Sequence, residues 1–339
     1  MLPGLPDNEN KGESKMALTK SGWKWLAAAA LGLCVSLPSL AQGQKTMRVL
    51  VGFPAGQTTD IVARMVAERL AAALGHPVIV ENRPGQGGSL ALGLLAKSPP
   101  DGSVMTLSAL ASYVANPHLY KSVPYNTLKD FDPVALVLDI PIVMVAHPGL
   151  PATSVAELVK YAKDNPDKLT HSSSGNGTIS HLAMEDFKRR SGVKIVHAPY
   201  PGSQKAMLDL MAGNVQLGLD AVAVTQQHIQ SGKMRLLAVG TGKRMAAYPD
   251  TPTIAELGFP GFEASAWVGA SLPAGSPPDL RERLSTEIVR IARSPEFNER
   301  MTALGMVTRP MGSADFAAYL KSEYERWGKI VRDSGARVE

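Results

Sequence analysis

One stretch constrains the fold of this chain more than any other, RVLVGFPAGQTTDIVARMVAERLAAALG, from Arg48 to Gly75. Val49, Leu50 and Val51 form a short apolar run with β-branched members, the composition of a buried strand. Phe53-Pro54-Ala55-Gly56 stops it, because proline lacks the ladder N–H and glycine opens unusual backbone angles. Thr58, Thr59 and Asp60 then bring the side-chain oxygens that a helix N-terminus favours. Val62, Met65, Val66, Leu70 and Leu74 recur at helical spacing until Gly75 and Pro77 end the run. A strand thus delivers a glycine-containing loop into a helix whose first N–H groups point outward. In an open α/β sheet ligands dock at such a place, and those N–H groups favour an anion. By itself the stretch reads equally well as an ordinary βα turn.

Residues 1–44 read as signal peptide and leader. Lys20 and Lys24 precede an apolar run over residues 26–37 that is too short to span a bilayer. Ser39-Leu40-Ala41 supplies a small-x-small cleavage pattern, which makes Gln42 the first mature residue. The polar residues before Met16 lengthen the leader, so Met16 is an alternative start. Cys34 is the only cysteine, and Leu33 before it is larger than a lipoprotein signal wants. Cys34 therefore reads as a passenger of the removed segment. The mature chain then has neither disulfides nor thiolate metal sites. Its expected destination is the periplasm.

The mature chain has 298 residues, enough for two domains with sizeable cores, and a net charge of +4. Its Lys and Arg are scattered rather than clustered, which argues against nucleic acid. No later apolar run reaches transmembrane length.

The grammar of the opening unit repeats along the chain. Residues 77–81 read as a second strand, leading through Asn82-Arg83-Pro84-Gly85-Gln86-Gly87-Gly88-Ser89 to a short helix over residues 90–96. A third strand over residues 104–107 ends at Ser108. Such alternation argues a largely parallel sheet. Two apolar runs within residues 134–145 are interrupted by Asp139-Ile140-Pro141, where a proline-broken strand marks a first crossing between domains. Ser154 and Glu157 form a capping box for a helix closed by Pro166. A strand over residues 169–172 precedes Ser173-Ser174-Gly175-Asn176-Gly177-Thr178-Ile179-Ser180-His181, and the next helix turns Ile179, Leu182, Ala183 and Phe187 inward. Further strands are expected over residues 194–197, 215–219 (ending at Asp220) and 234–239, and Thr253 with Glu256 makes a second capping box. Residues 263–272 read as a strand returning to the first domain. Three helices close the chain, two of them opened by Ser276-Pro277 and Ser294-Pro295 as N-cap plus N1 proline. Phe316, Leu320, Tyr324, Trp327 and Val331 form one stripe of the last, a core face rather than a partner groove. The expected organisation is a first domain from residues 45–140 and 262–339, and a second from residues 141–261.

Motifs of catalysis are missing from this sequence. Gly175-x-Gly177 follows a strand, yet no Gly-x-Gly-x-x-Gly occurs, and Gly240-Thr241-Gly242-Lys243 lacks P-loop spacing. There is no Gly-x-Ser-x-Gly. The seven histidines never stand as His-x-x-x-His, so no metal or other cofactor is expected. His181, one turn into the helix after the third loop, reads either as a packed or capping imidazole or as a ligand contact. The remaining equipment is a set of βα loops offering N–H and hydroxyl donors.

At this point FPAGQTTD, VIVENRPGQGGSLA and KSPPDG, within residues 51–101, resemble the Bug-type solute receptors of tripartite tricarboxylate transporters. SSSGNGTISHLAMEDFK, VHAPYPGSQKAMLDLMAGNVQL and YPDTPTIAELGFPGFEASAWVGASLPAG resemble later blocks of that family in the same order. The resemblance implies a two-domain α/β periplasmic binding protein of type II-like architecture. Sheets flanked by helices would close a cleft on a small carboxylated solute. It implies that the first loop contributes Phe53, Ala55, Gln57, Thr58, Thr59 and Asp60, while Gly87, Gly88 and Ser89 edge the pocket. The third loop would contribute Ser174, Gly175, Asn176, Gly177, Thr178 and His181, with Ser108, Tyr200, Gly202, Ser203 and Asp220 completing the site. Gln57 stands where the family often has a small residue and brings an amide to the pocket. Pro201 stands where a Lys is frequent and removes a cation from the rim. The implied partners are the solute and the membrane components of the transporter, with the receptor a monomer. The alternatives are an enzyme on the same architecture, since fold does not fix function, and a receptor that signals to a sensor protein. If the leader reading holds, the intact mass of the periplasmic protein begins at Gln42; a mature form with acylated Cys34 would overturn it.

Overall fold

The computed structural model describes residues 46–338; the expected cleavage site at Ala41 and Cys34 lie outside the described residues. The opening unit forms as its pattern demands. Strand β1 (Met47–Val51) is followed by helix α1 (Thr58–Leu74), strand β2 (Val78–Asn82), helix α2 (Ser89–Ala96) and strand β3 (Val104–Ala109). A π-helical turn over residues 111–115 runs into the short helix α3 (Asn116–Leu119), and the chain then enters β4 (Phe131–Ala146). The middle of the chain carries α4 (Val155–Asp164), β5 (Thr170–Ser173), α5 (Ile179–Ser191), β6 (Val196–Pro199), α6 (Ser203–Met211), β7 (Leu217–Ala221), α7 (Val222–Gln230) and β8 (Arg235–Val239). Strand β9 (Ser265–Pro273), helices α8 (Pro278–Arg293) and α9 (Pro295–Ala303), strand β10 (Val307–Met311) and helix α10 (Ser313–Ser334) complete it. No helix among the described residues is long and apolar enough to cross a membrane.

These strands form one path in the order β2-β1-β3-β9-β4-β7-β5-β6, with β10 and β8 also paired to β4. Parallel pairing holds in the two outer groups, β2-β1-β3 and β6-β5-β7. The centre differs from the largely parallel sheet expected: β9 and β4 pair antiparallel to each other and to their neighbours. Strand β4 also runs unbroken through Pro141. Ser265 of β9 pairs with Pro141, and Ala221 of β7 pairs with the next residue, Ile142. The proline therefore stands where the strand changes partners, a place where a missing donor disturbs the ladder least.

Both faces of the sheet are covered. Val49 and Val51 of β1 pack with Val62, Val66 and Leu70 of α1, while Leu50 belongs to the core that includes Leu92 of α2 and Phe316 of α10. On the second half of β4, Val143 and Val145 meet α6, and Met144 and Ala146 share the core of α4 and α5. Burial on both faces explains why these strands read as unbroken apolar runs. Of the stripe on α10, Phe316, Leu320, Trp327 and Val331 are buried, and Tyr324 is partly so. Glu323 is buried among them, where its Oε2 accepts from the indoles of Trp267 and Trp327, each at 3.1 Å, and Arg326 Nε donates to Oε1 at 2.7 Å.

Some local expectations change. Thr253 and Glu256 do bond reciprocally, at 2.8 and 3.0 Å, but Gly258 and Pro260 follow too soon and the box closes a turn rather than a helix. Helix α8 starts one residue late, with Pro277 as N-cap, because the Ser276 hydroxyl donates to Pro273 O instead. Strand β10 escapes a periodicity reading because Thr308-Arg309-Pro310 is polar and contains proline, which an edge strand tolerates. Gly269 of β9 lies under the ring of Phe316, so that an added methyl would collide with it. Gly269→Ala should lower stability by about 1–3 kcal/mol through overpacking. Urea unfolding checks this, and an unchanged midpoint would mean that α10 does not press on β9 there.

Candidate functional site

Strand registers locate the site before any side chain is considered. Ala109, the last residue of β3, pairs with Val268, which pairs with Leu138 of β4. Ala221, the last residue of β7, pairs with Ile142 of β4. The two parallel groups therefore point their C-terminal ends at each other, four residues apart along β4. That is roughly 13 Å along the strand at about 3.3 Å per residue. Such a reversal in an open α/β sheet is where its loops form a ligand crevice.

The loops from the first group are locked together. A Cβ on Gly52 would lie 2.5 Å from Gly88 Cα, so the loops after β1 and β2 touch backbone to backbone. Asp60 organises the first loop: its Oδ2 accepts from Gly56 N–H (2.8 Å) and Arg64 Nε (2.9 Å), and its Oδ1 accepts from Asn82 Nδ2 (2.8 Å). Burial raises the pKa of this carboxyl, but those donors outweigh it and hold the group below its ordinary value. Asn82 Nδ2 also donates to Phe53 O at 3.0 Å. Asn116 does the same for the second loop, its Nδ2 lying 3.2, 3.0 and 2.9 Å from Gln86 O, Gly87 O and Ser89 Oγ. Gly88, at φ +93°, has no room for a side chain because Ser112 Oγ occupies it, and that hydroxyl donates to Gly87 O at 2.9 Å.

The third loop follows β5. Ser180 Oγ accepts from Ser174 N–H at 2.9 Å, and Thr178 Oγ1 donates to Gly175 O at 2.7 Å. Gly177 packs directly on the side chain of Leu119, the end of α3. One contact chain therefore runs from the first loop through the second, along α3 and into the third. Beside it, Ser203 Oγ donates to Asp220 Oδ1 at 2.8 Å, and Ala221 N–H donates to the same oxygen at 2.8 Å. Burial pushes the Asp220 carboxyl up to about 6 against those two donors. The Tyr200 hydroxyl is turned to α6, donating to Asp209 Oδ2 at 2.6 Å, which pushes its own pKa up to about 12.

The residues implied by resemblance fall into two physical groups. Phe53, Ala55, Gln57, Thr58, Gly87, Ser174, Gly175, Asn176, Thr178, Tyr200, Gly202 and Ser203 keep accessible surface. Thr59, Asp60, Gly88, Ser89, Ser108, Gly177, His181 and Asp220 are buried. Ser108 Oγ and Asp220 Oδ2 are enclosed without a hydrogen-bond partner. The buried set stands behind the loops. Asn82, Ser112, Asn116, Ser173 and His197 do the same work; Asn82 and Ser173 open their loops in the sequence, where nothing distinguishes Ser112, Asn116 and His197 from other polar residues.

Among the described residues no side chain caps the N-terminus of α1, α2, α5, α6 or α7, the helices entered from these strand ends. Elsewhere Ser154 and Ser294 do cap α4 and α9. Each such N-terminus carries roughly half a positive charge. Residues 53–60 and 173–181 hold no Lys or Arg, so backbone dipoles, hydroxyls and the amides of Gln57 and Asn176 are the donors on offer. No group of three or more His, Cys, Asp or Glu among the described residues is placed to hold a metal ion. If Asn116 shapes the second loop, Asn116→Ala should raise amide exchange across residues 85–89 and cost about 0.5–1.5 kcal/mol for the hydrogen bonds lost, since Gly87 O keeps Ser112 Oγ and Gln86 O keeps the Ser89 N–H. Unaltered exchange there would assign the loop's shape to other contacts.

Known proteins are similar to this chain in sequence and fold. Residues 62–336 match the TctC family, described as tripartite tricarboxylate transporter family receptor. BugT of Bordetella pertussis is 33% identical over 312 residues, covering 92% of this chain and 96% of BugT. The structure of R. palustris Rpa4515 with adipate superposes with a TM-score of 0.76 at 32% identity, covering 86% of this chain and 99% of that one. MatC (Rpa3494) from Rhodopseudomonas palustris with bound malate gives a TM-score of 0.71 at 29% identity, covering 84% and 98%. The chain belongs to the tripartite tricarboxylate transporter receptor family, and its fold is the two-domain α/β fold of those binding proteins.

Proposed function

We propose that this receptor captures a small organic dicarboxylate in the periplasm and presents it to the membrane components of a tripartite transporter, as a monomer and without turnover. The observation that carries the reading is the meeting of two sets of strand ends, with uncapped helix N-termini, at the change of partners on β4. Relatives bound to adipate and malate support the solute class. We assign the accessible loop residues, among them Gln57, Thr58, Gly87, Ser174, Asn176 and Thr178, to contact with the solute, and the buried set to holding those loops in shape. The domain division at about residues 140 and 262, with a hinge at Asp139–Pro141 and its partner segment near Ser265, is part of this proposal.

The energetics are sufficient without a cation. A charge-assisted hydrogen bond contributes roughly 1.5–3 kcal/mol. A helix N-terminus adds roughly 0.3–1 kcal/mol, or about 2 when partly buried. Two facing loops can therefore supply much of the roughly 8 kcal/mol of micromolar binding.

Desolvated contacts of this kind are screened little by salt, so affinity should change by less than about threefold from low to physiological ionic strength. Replacing a carboxylate by its neutral amide should cost about 2–4 kcal/mol, because it removes charge-assisted bonds and sets an NH₂ against donors. Calorimetry with adipate, malate and their amides at two salt concentrations decides this. Steep salt dependence, or equal affinity for the amide, would mean that these helix termini do not make the site.

A further inference from the structure

Three histidines are stacked behind the third loop. His171 of β5 lies against His197 of β6 with ring centroids 4.7 Å apart and planes 14° apart. His181 of α5 stacks on the same His197 at 4.0 Å and 8°. Both partners of the stack reach the loop: Ser173 Oγ is 2.7 Å from His197 Nε2, and Gly177 N–H donates to His181 Nδ1 at 3.1 Å. A backbone N–H can only donate, so His181 Nδ1 carries its lone pair and the ring proton sits on Nε2, 3.8 Å from Glu185 Oε1.

We propose that His181, stacked on His197, is a positioning residue that holds the third loop in its solute-binding shape only while its ring is uncharged. The proposal rests on the assignment of Ser174, Asn176 and Thr178 to the solute. A proton on Nδ1 would replace the acceptor for Gly177 with a second donor, and the two N–H groups would oppose each other. It would also set a charge against a stacked ring. The charged and titratable groups facing His181 are His197 from β6, His171 from β5, and Glu185 and Lys188 from its own helix; Glu185 is engaged by Lys188 Nζ at 2.7 Å and lies 3.5 Å from His171 Nε2. From across the site Leu119 packs on Gly177 and brings no charge.

The electrostatic surroundings of the rings support this geometry. Burial drives His181 down to about 4, against the pull of Glu185, and drives His197 down to about 3, helped by the neighbouring imidazoles. His171 is likewise lowered, again chiefly by burial. Rings whose folded values lie below the ordinary value of about 6.5 contribute stability that is complete above that pH. It is lost as pH falls toward their folded values. The loop should therefore hold through neutral pH and let go near pH 4.

Nuclear magnetic resonance of the ligand-free mature protein tests this without any solute. The expected result is three neutral rings at pH 7, His181 with its proton on Nε2, and a Gly177 amide signal that moves with the His181 titration. His181→Asn offers an oxygen acceptor that does not titrate and should flatten the movement of Gly177. At pH 7, His181→Leu should lose about tenfold or more in affinity for adipate or malate, an unpaired buried donor being that costly, and His181→Asn should recover most of it. A Gly177 signal that ignores the ring, or that moves alike in His181→Asn, overturns the proposal, as does a His181→Leu protein with full affinity. If neither acid binds the native protein while Gly177 follows His181, the solute assignment falls and the loop device stands.

Discussion

Everything in this molecule hangs on the change of partners along β4. For its first eleven residues the strand is paired with β9, and from Ile142 onward with β7 and β8. One continuous backbone thus belongs to two sheets, and the direction of each outer group is set by its pairing to that backbone. The parallel groups have no choice but to end facing each other. A shift of register in either half would change the distance between the loops, and a one-residue slip would exchange the side chains packed on the two faces of β4.

Accessible positions and supporting side chains are divided between different residues. The accessible loop positions are mostly small or hydroxyl-bearing, and several are glycines that present backbone rather than side chain. Behind them stand side chains with saturated or nearly saturated hydrogen bonding, Asp60 for the first loop and Asn116 for the second. The proposed function gives such groups to the loops rather than to the solute. Their contribution is preorganisation: a loop already in its bound shape loses less conformational entropy on closure. Gly177 illustrates the same division, since its close neighbour is Leu119 and its N–H is committed to His181.

The electrostatic design follows from the absence of cations in the first and third loops. Helix dipoles are fixed and cost no reorganisation when an anion arrives, whereas long basic side chains would have to be ordered. Buried carboxylates nearby do not spoil this. Asp60 is neutralised by Arg64 and two further donors, and Asp220 is pushed toward its protonated form by burial.

The sequence by itself determined the local units: the strand–loop–helix alternation, the glycine and hydroxyl content of the loops, the apolar stripe of α10, and the Ser154 and Ser294 caps. Each of these depends on spacing over a few residues, where hydrophobic period and capping chemistry act directly. Pro141 was legible as a special position, and its effect was not, because proline breaks a strand only where a ladder donor is needed. Whether it is needed depends on β7 and β9, strands far along the chain. The antiparallel centre, the burial of Ser108, Asp220 and Asp60, and the roles of Asn116 and His197 were decided only by the tertiary structure. These features are contacts between residues distant in sequence. Local patterning carries no information about which polar side chain will find which backbone carbonyl, because that choice is made by the packing of the whole sheet.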